Sequence, residues 1–221
     1  MKFFVSGLLF DNDGVLVDSH SASGVAWEIW AKEFAPHFDW DVPENAGMRA
    51  SDKVREHVAA ELFEVANNRI NELEQQTAHE TIALAGAVDL LHALKPGTWT
   101  VCTSANVNLG TARLKAAGLP VPAELVTGDD VERGKPHPDP YLLGAKRLGF
   151  EPADCVVFED AIAGVEAGIE AGVGLVIGVS ERALDSAADL VIKDLTGITF
   201  DGENLFIPDR LRLREEKKWL K

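Results

Sequence analysis

Two carboxylates one residue apart, Asp11 and Asp13, stand with Asn12 and Gly14 directly behind the apolar run 3–10. Such a run predicts a strand, and Gly14 lets the chain turn sharply at its end. There, one carboxylate can attack an electrophile while the other moves protons. An Asx-rich turn closing a buried strand explains the same residues, because Asp, Asn and Gly favour turns for local reasons. Other polar groups shift the balance. Ser104, with Ala105 and Asn106, follows the apolar stretch 99–103; Lys135 lies in Gly134-Lys135-Pro136; Glu159 and Asp160 follow the apolar stretch 155–158. Singly, each has an ordinary explanation: a helix N-cap, a solvated loop lysine, an acidic pair at a helix dipole. Together they supply several carboxylates, one hydroxyl and one ammonium, a set suited to phosphoryl transfer. Crowded carboxylates call for a hard cation; Mg²⁺ prefers oxygen ligands, and Asp11 and Asp160 can each give one. Lys135 would offset the remaining charge, and the Ser104 hydroxyl and Ala105 N–H could bond phosphoryl oxygens at a helix start.

To converge, these segments must end on one edge of a sheet. Residues 4–10 predict a buried first strand. Between residues 19 and 81 the pattern is helical: Trp27, Trp30, Ala31 and Phe34 form one apolar stripe, and 53–65 and 68–76 are rich in Glu, Leu and Asn. Residues 35–45 follow no assignable pattern. From residue 85 helix and strand alternate, with helices over 87–94, 109–117, 140–148 and 161–171 and strands over 99–103, 124–127, 155–158, 174–177 and 190–192. Alternation of this kind predicts an α/β fold, a parallel sheet covered by helices on both faces, with ligands at the carboxyl ends of the strands. The helical block interrupts that fold after its first strand. The expected division is a core of residues 1–18 and 83–221 and a helical insertion of 19–82. Gly164, Gly168 and Gly172 recur every fourth residue, as a helix packed closely on a sheet would require. The charged tail 209–221 reads as a solvated helix or frayed end.

The 221 residues carry 36 acidic against 21 basic side chains, a formal charge of −15. No Lys/Arg-rich run precedes the C-terminal tail, which argues against nucleic acid and against anionic membranes. Cys102 and Cys155 both lie in apolar runs, so no disulfide framework is expected and a cytoplasmic location fits. The apolar N-terminal stretch is too short for a signal peptide and is stopped by two aspartates. The glycines of 172–175 precede a strand instead of following one, unlike a dinucleotide fingerprint. No feature specifies an oligomer, and a monomer is the simplest expectation.

The stretch Asp-Asn-Asp-Gly-Val-Leu-Val-Asp-Ser (11–19), Thr103-Ser104, Arg133-Gly134-Lys135-Pro136 and Phe158-Glu159-Asp160 resemble the haloacid dehalogenase-like superfamily, across about residues 7–179. The helical insertion resembles the cap of its phosphoglucomutase-like branch. Within that branch the chain is similar to small-sugar phosphatases: hexitol/sugar, 2-deoxyglucose-6-phosphate and glycerol-phosphate phosphatases. The resemblance implies a Rossmann-like core with a helical cap, a small phosphorylated sugar or polyol as substrate, and Mg²⁺ as cofactor. It implies Asp11 as nucleophile forming an aspartyl-phosphate. Asp13 would be the proton donor and then acceptor, its backbone carbonyl also on the metal. Ser104 and Lys135 would hold the phosphoryl group, and Asp160 would complete the metal site with Glu159 beside it. Arg49, in Gly47-Met48-Arg49-Ala50, has two readings: a cap residue reaching the substrate, or a surface arginine beside a helix cap formed by Ser51. The alternative is a hexose phosphomutase. Mutases of the branch carry a cap histidine where this chain has Ser23 and an arginine where it has Ala50; both departures favour the phosphatase. A non-catalytic phospho-accepting module is the third reading, but such modules lack the insertion.

Overall fold

The structure, a computed structural model, describes residues 1–40, 42 and 45–214. Its centre is a six-stranded sheet. Five strands are parallel: Gly7–Phe10 (β2), Trp99–Val101 (β5), Cys155–Glu159 (β6), Leu175–Val179 (β7) and Leu190–Ile192 (β8). Arg212–Arg214 (β11) adds antiparallel at one edge, giving the order β11-β8-β7-β6-β2-β5. Strands β2, β6 and β7 are buried along their whole length, which is why they read as unbroken apolar runs. The pleat divides them: Leu8, Phe10, Val156 and Phe158 feed one core, while Leu9, Val157 and Val176 feed the other. The layers that cover these faces include Ala87–Ala93 (α4), Val107–Ala116 (α5), Asp139–Leu148 (α6) and Ile162–Glu170 (α7).

The insertion consists of His20–Phe34 (α1), Ala50–His57 (α2) and Phe63–Thr77 (α3). Their apolar stripes meet in a separate cluster of Trp27, Trp30, Val54, Ala66, Ile70 and Leu73, and Phe38 packs against both tryptophans. The chain leaves and re-enters the core through a two-stranded ribbon, Val17–Asp18 (β3) against Ile82–Ala83 (β4).

Several expectations are corrected. The run 4–10 is not one strand. Lys2–Phe4 (β1) pairs with Asn204–Phe206 (β10), which also pairs with Thr199–Phe200 (β9), in a separate antiparallel sheet. Residues 124–127 form only a single bridge, Val126 to Cys102, because Thr127 instead caps the turn Gly128–Asp130 with Asp130. The stretch 53–65 is broken where Val58 becomes extended. The tail begins as a short turn, Asp209–Leu211, and continues as β11 on the sheet edge; residues 215–221 lie outside the described part. Of the three spaced glycines, Gly164 and Gly168 are in close packing, since a Cβ would collide with the Glu159 carboxylate at the first and meet Val176 Cγ2 at 3.2 Å at the second. At Gly172 a Cβ would meet nothing within 4 Å among the described residues, and its φ of +70° ends α7 in a left-handed turn.

Candidate active site

Parallel pairing of Phe10 with Phe158 and with Val101 brings the carboxyl ends of β2, β5 and β6 side by side. Asp11 leaves β2 with its N–H donated to Phe158 O at 2.9 Å. Lys135 comes from the loop before α6, and its Nζ lies 2.5 Å from Asp11 Oδ1 and 2.6 Å from Glu159 Oε1. The lysine is 1% exposed. Tyr141, one turn into α6, donates its hydroxyl to the same Glu159 Oε1 at 2.8 Å, and Glu159 Oε2 accepts from the N–H groups of Asp160 and Ala161. Both oxygens of Glu159 are therefore engaged. Glu159, expected beside the metal, holds Lys135 in place and ties down the turn into α7.

Burial raises the Asp11 pKa well above the usual carboxylate range; Lys135 opposes this, while Glu159, Asp160 and Asp13 reinforce it. Burial and then Glu159 push Asp160 up to about 7, against Arg182 and Lys135. For Lys135 burial alone would favour the neutral amine, but Asp11 and Glu159 outweigh it and its pKa is raised. Carboxylate oxygens of Asp11, Glu159 and Asp160 lie within 4.8 Å of one another. Lys135 and Arg182 together do not balance three such groups, and hard oxygen donors at this separation fit a small divalent cation. Asp11 Oδ1 faces Lys135 and Asp160 Oδ2 faces Arg182 at 3.0 Å, so Asp11 Oδ2 and Asp160 Oδ1 are the oxygens these contacts leave. Gly14 makes the approach possible. Its φ is +88°, and a Cβ there would collide with the Asp160 carboxylate.

Asp13 lines a cavity of ≈ 760 Å³ between the sheet and the insertion, whose lining also includes Asp11, Asp160, Trp27, Trp40, Lys53 and Asn67. Its Oδ1 accepts from Ser19 Oγ at 2.5 Å and pairs with Arg113 Nη1 at 3.1 Å. Arg113 leaves α5 on the buried side of that helix and donates through Nη2 to Ser23 Oγ at 2.7 Å and to Glu74 Oε1 at 3.1 Å. Opposing charge raises the Arg113 pKa despite its burial, and burial pulls the Lys53 ammonium below its usual value.

Asp11, Lys135, Glu159 and Asp160 thus converge as expected, with Asp13 beside them. Ser104 and Ala105 line the same cavity with other partners: Ser104 Oγ donates to Gly47 O at 2.6 Å, and Ala105 N–H donates to Thr103 Oγ1. The N-cap of α5 is Asn106, whose side chain accepts from Leu109 N–H. Arg49 lines the cavity, and it is not the surface arginine of its second reading: the N-cap of α2 is Arg49 itself and not Ser51. It is largely buried, pairs with Asp52 through Nε at 2.7 Å, and reaches the core carbonyls of Val131 and Glu132 at 3.0 and 3.1 Å. Arg113, Glu74, Ser19 and Tyr141 were not singled out for site roles in the sequence. The available sign for Arg113 was a charged residue in line with buried Leu109, Gly110 and Leu114 on one helix.

A family model described as haloacid dehalogenase-like hydrolase matches residues 5–172. Hexitol phosphatase A of Escherichia coli K12 is 41% identical over 188 residues, 83% of this chain and 84% of that protein. Glycerol-1-phosphate phosphohydrolase 2 of Saccharomyces cerevisiae is 30% identical over 217 residues, 90% and 86% of the two chains. Among solved structures, a hydrolase from Pseudomonas syringae superposes with a TM-score of 0.74 at 28% identity, covering 86% of this chain and 93% of that one.

Proposed function

The chain belongs to the haloacid dehalogenase-like hydrolases and is a phosphoric monoester hydrolase, and from this premise we propose that it hydrolyses small sugar or polyol phosphates through an aspartyl-phosphate on Asp11. The observation that carries the reading is the buried contact of Lys135 Nζ with Asp11 Oδ1 at 2.5 Å inside a cluster of three carboxylates. The names of the relatives, which refer to hexitol and glycerol-1-phosphate, support the substrate class.

In this mechanism an oxygen of Asp11 attacks phosphorus, and the bond from phosphorus to the sugar oxygen breaks. Asp13 gives its proton to the departing oxygen. Water then attacks the phosphorus of the aspartyl-phosphate, Asp13 takes the proton, and Asp11 is released with inorganic phosphate. Lys135 keeps Asp11 oriented and offsets negative charge, and Glu159 with Tyr141 keeps Lys135 in place. Asp11, Asp160 and the backbone carbonyl of Asp13 would hold a divalent cation, proposed as Mg²⁺, which supplies positive charge so that a phosphate can approach a carboxylate. Ser104 and Ala105 bind the phosphoryl group if Ser104 Oγ exchanges Gly47 O for a phosphoryl oxygen. Among the described residues no helix is long and apolar enough to cross a membrane; a cytoplasmic location remains part of the proposal.

The test is phosphate release by the full chain from glycerol 1-phosphate, a hexitol phosphate and a wider panel of sugar phosphates. Mg²⁺-dependent release, abolished by EDTA and by Asp11→Asn, is expected. Undiminished turnover by Asp11→Asn overturns the nucleophile assignment. Isomerisation faster than hydrolysis in the presence of glucose 1,6-bisphosphate makes the chain a mutase instead.

A further inference from the structure

Arg113 brings four segments of the chain together. It rises from α5 in the core, touches Asp13 in the loop after β2, and meets Ser23 of α1 and Glu74 of α3 in the insertion. Ser23 Oγ in turn donates to Glu74 Oε1 at 3.2 Å, so the anchor on the insertion side is itself braced. The side chain is 6% exposed, and its Nε is buried with no hydrogen-bond partner. An unbonded buried donor is costly. The guanidinium has therefore been oriented by its two Nη contacts at the expense of Nε. A guanidinium is a rigid planar fork, so anchoring Nη2 on Ser23 and Glu74 aims Nη1. That Nη1, together with Ser19 Oγ, takes Oδ1 of Asp13, while Oδ2 accepts from Asn12 Nδ2 at 3.3 Å.

We propose that Arg113 is a positioning residue that, braced by Ser23 and Glu74 of the insertion, holds Oδ1 of Asp13 and turns Oδ2 toward the oxygen that leaves phosphorus. The inference rests on Asp13 as the proton donor to that oxygen. It ties the placement of the donor to the seating of the helical insertion on the core, because two of the fork's three partners belong to α1 and α3. A lysine cannot substitute fully, since one ammonium on a flexible stem lacks the fork geometry.

Two substrates separate this role from a general structural one. From glycerol 1-phosphate the glycerol oxygen leaves as an alkoxide that needs a proton; from p-nitrophenyl phosphate p-nitrophenolate leaves, stabilised without one. In Arg113→Gln, kcat for glycerol 1-phosphate falls by about 10²-fold, the scale of lost general-acid catalysis, while kcat for p-nitrophenyl phosphate falls about fivefold or less. Arg113→Lys recovers part of the loss but not all of it. Ser23→Ala removes one anchor from a half-buried site, and shows the same selectivity on a smaller scale, about three- to tenfold. It carries the test if Arg113→Gln fails to fold. Equal losses on both substrates in Ser23→Ala and Arg113→Lys overturn the proposal. So does a rise in KM for glycerol 1-phosphate with kcat unchanged, or full recovery by lysine. The wild-type chain separates the two levels: if it hydrolyses both substrates while the variants lose both equally, only the positioning role falls, whereas a wild-type chain inactive on both removes the parent reading and this inference with it.

Discussion

Lys135 Nζ sits between Asp11 Oδ1 and Glu159 Oε1, at 2.5 and 2.6 Å, with all three side chains at least nine-tenths buried. Breaking one side of such a group leaves an uncompensated charge, so every change here acts on stability and chemistry together. The neighbouring Asp160 yields a prediction with a definite sign. Its pKa rises from 3.8 to about 7 on folding without metal, so the folded chain favours the protonated form. The stability this contributes is full below the unfolded pKa and is lost as pH climbs through the folded one. A divalent cation needs the carboxylate form and must displace that proton at lower pH. The increase in melting temperature caused by saturating Mg²⁺ is therefore larger at about pH 8 than at about pH 5.5. Equal increases at the two pH values would remove Asp160 from the metal site.

Strand register and helix packing place these residues. The pairing of Leu9 with Val157 and Phe10 with Phe158 brings Asp11 level with Glu159, and a direct sequence of buried apolar strands makes a slip costly. Helix α7 approaches so closely that a Cβ on Gly164 would collide with the Glu159 carboxylate, whereas one on Gly168 would only press on Val176 and Val157 at 3.2 and 3.4 Å. Two alanine substitutions in one helix therefore diverge. Gly164→Ala moves Glu159, releases Lys135 and lowers kcat by up to about 10²-fold. Gly168→Ala costs about 1–3 kcal/mol in a urea melt but keeps kcat near wild type. Equal kcat values would show that Glu159 does not hold Lys135 in its working place. At this scale the sequence was legible where apolar runs were buried on both faces, as in 155–158 and 190–192. It was misread at 124–127, where Thr127 and Asp130 close a turn, and at 4–10, where Val5 bonds Glu203 in one direction and Ser6 bonds Asp154 in another.

Across the whole molecule the insertion is fastened to the core by a few polar contacts around the cavity: Arg49 on the carbonyls of Val131 and Glu132, Ser104 on Gly47 O, and Arg113 on Ser23 and Glu74. Hydrogen bonds from a charged donor each contribute about 1.5–3 kcal/mol. Arg49→Ala removes several of them without touching the apolar cluster of α1–α3. We expect kcat/KM for a hexitol phosphate to fall about ten- to hundredfold, with faster hydrogen exchange around Gly47 and Gly128 and a lowered melting temperature. Unaltered exchange there would show that the arginine does not hold the two parts together. Lys53, Arg113 and Arg182 line the same cavity among acidic residues that include Asp13, Glu74 and Asp160, with Arg113 and Arg182 already paired to those carboxylates.

By itself the sequence determined the α/β alternation, the helical block after the first strand, and the order in which Asp11, Asp13 and Asp160 arrive at strand ends and Lys135 in a loop between them. Those properties follow from local hydrophobic period and from residues adjacent in the chain. Tertiary structure alone decided which partners each side chain took. Glu159 is engaged by Lys135 and Tyr141, Arg49 by Asp52 and core carbonyls, and Arg113 by three groups 39 to 100 residues away. A buried polar atom bonds whatever the fold brings within 3 Å of it, and that distance is a property of packing between segments far apart in the chain, not of the spacing within any one of them.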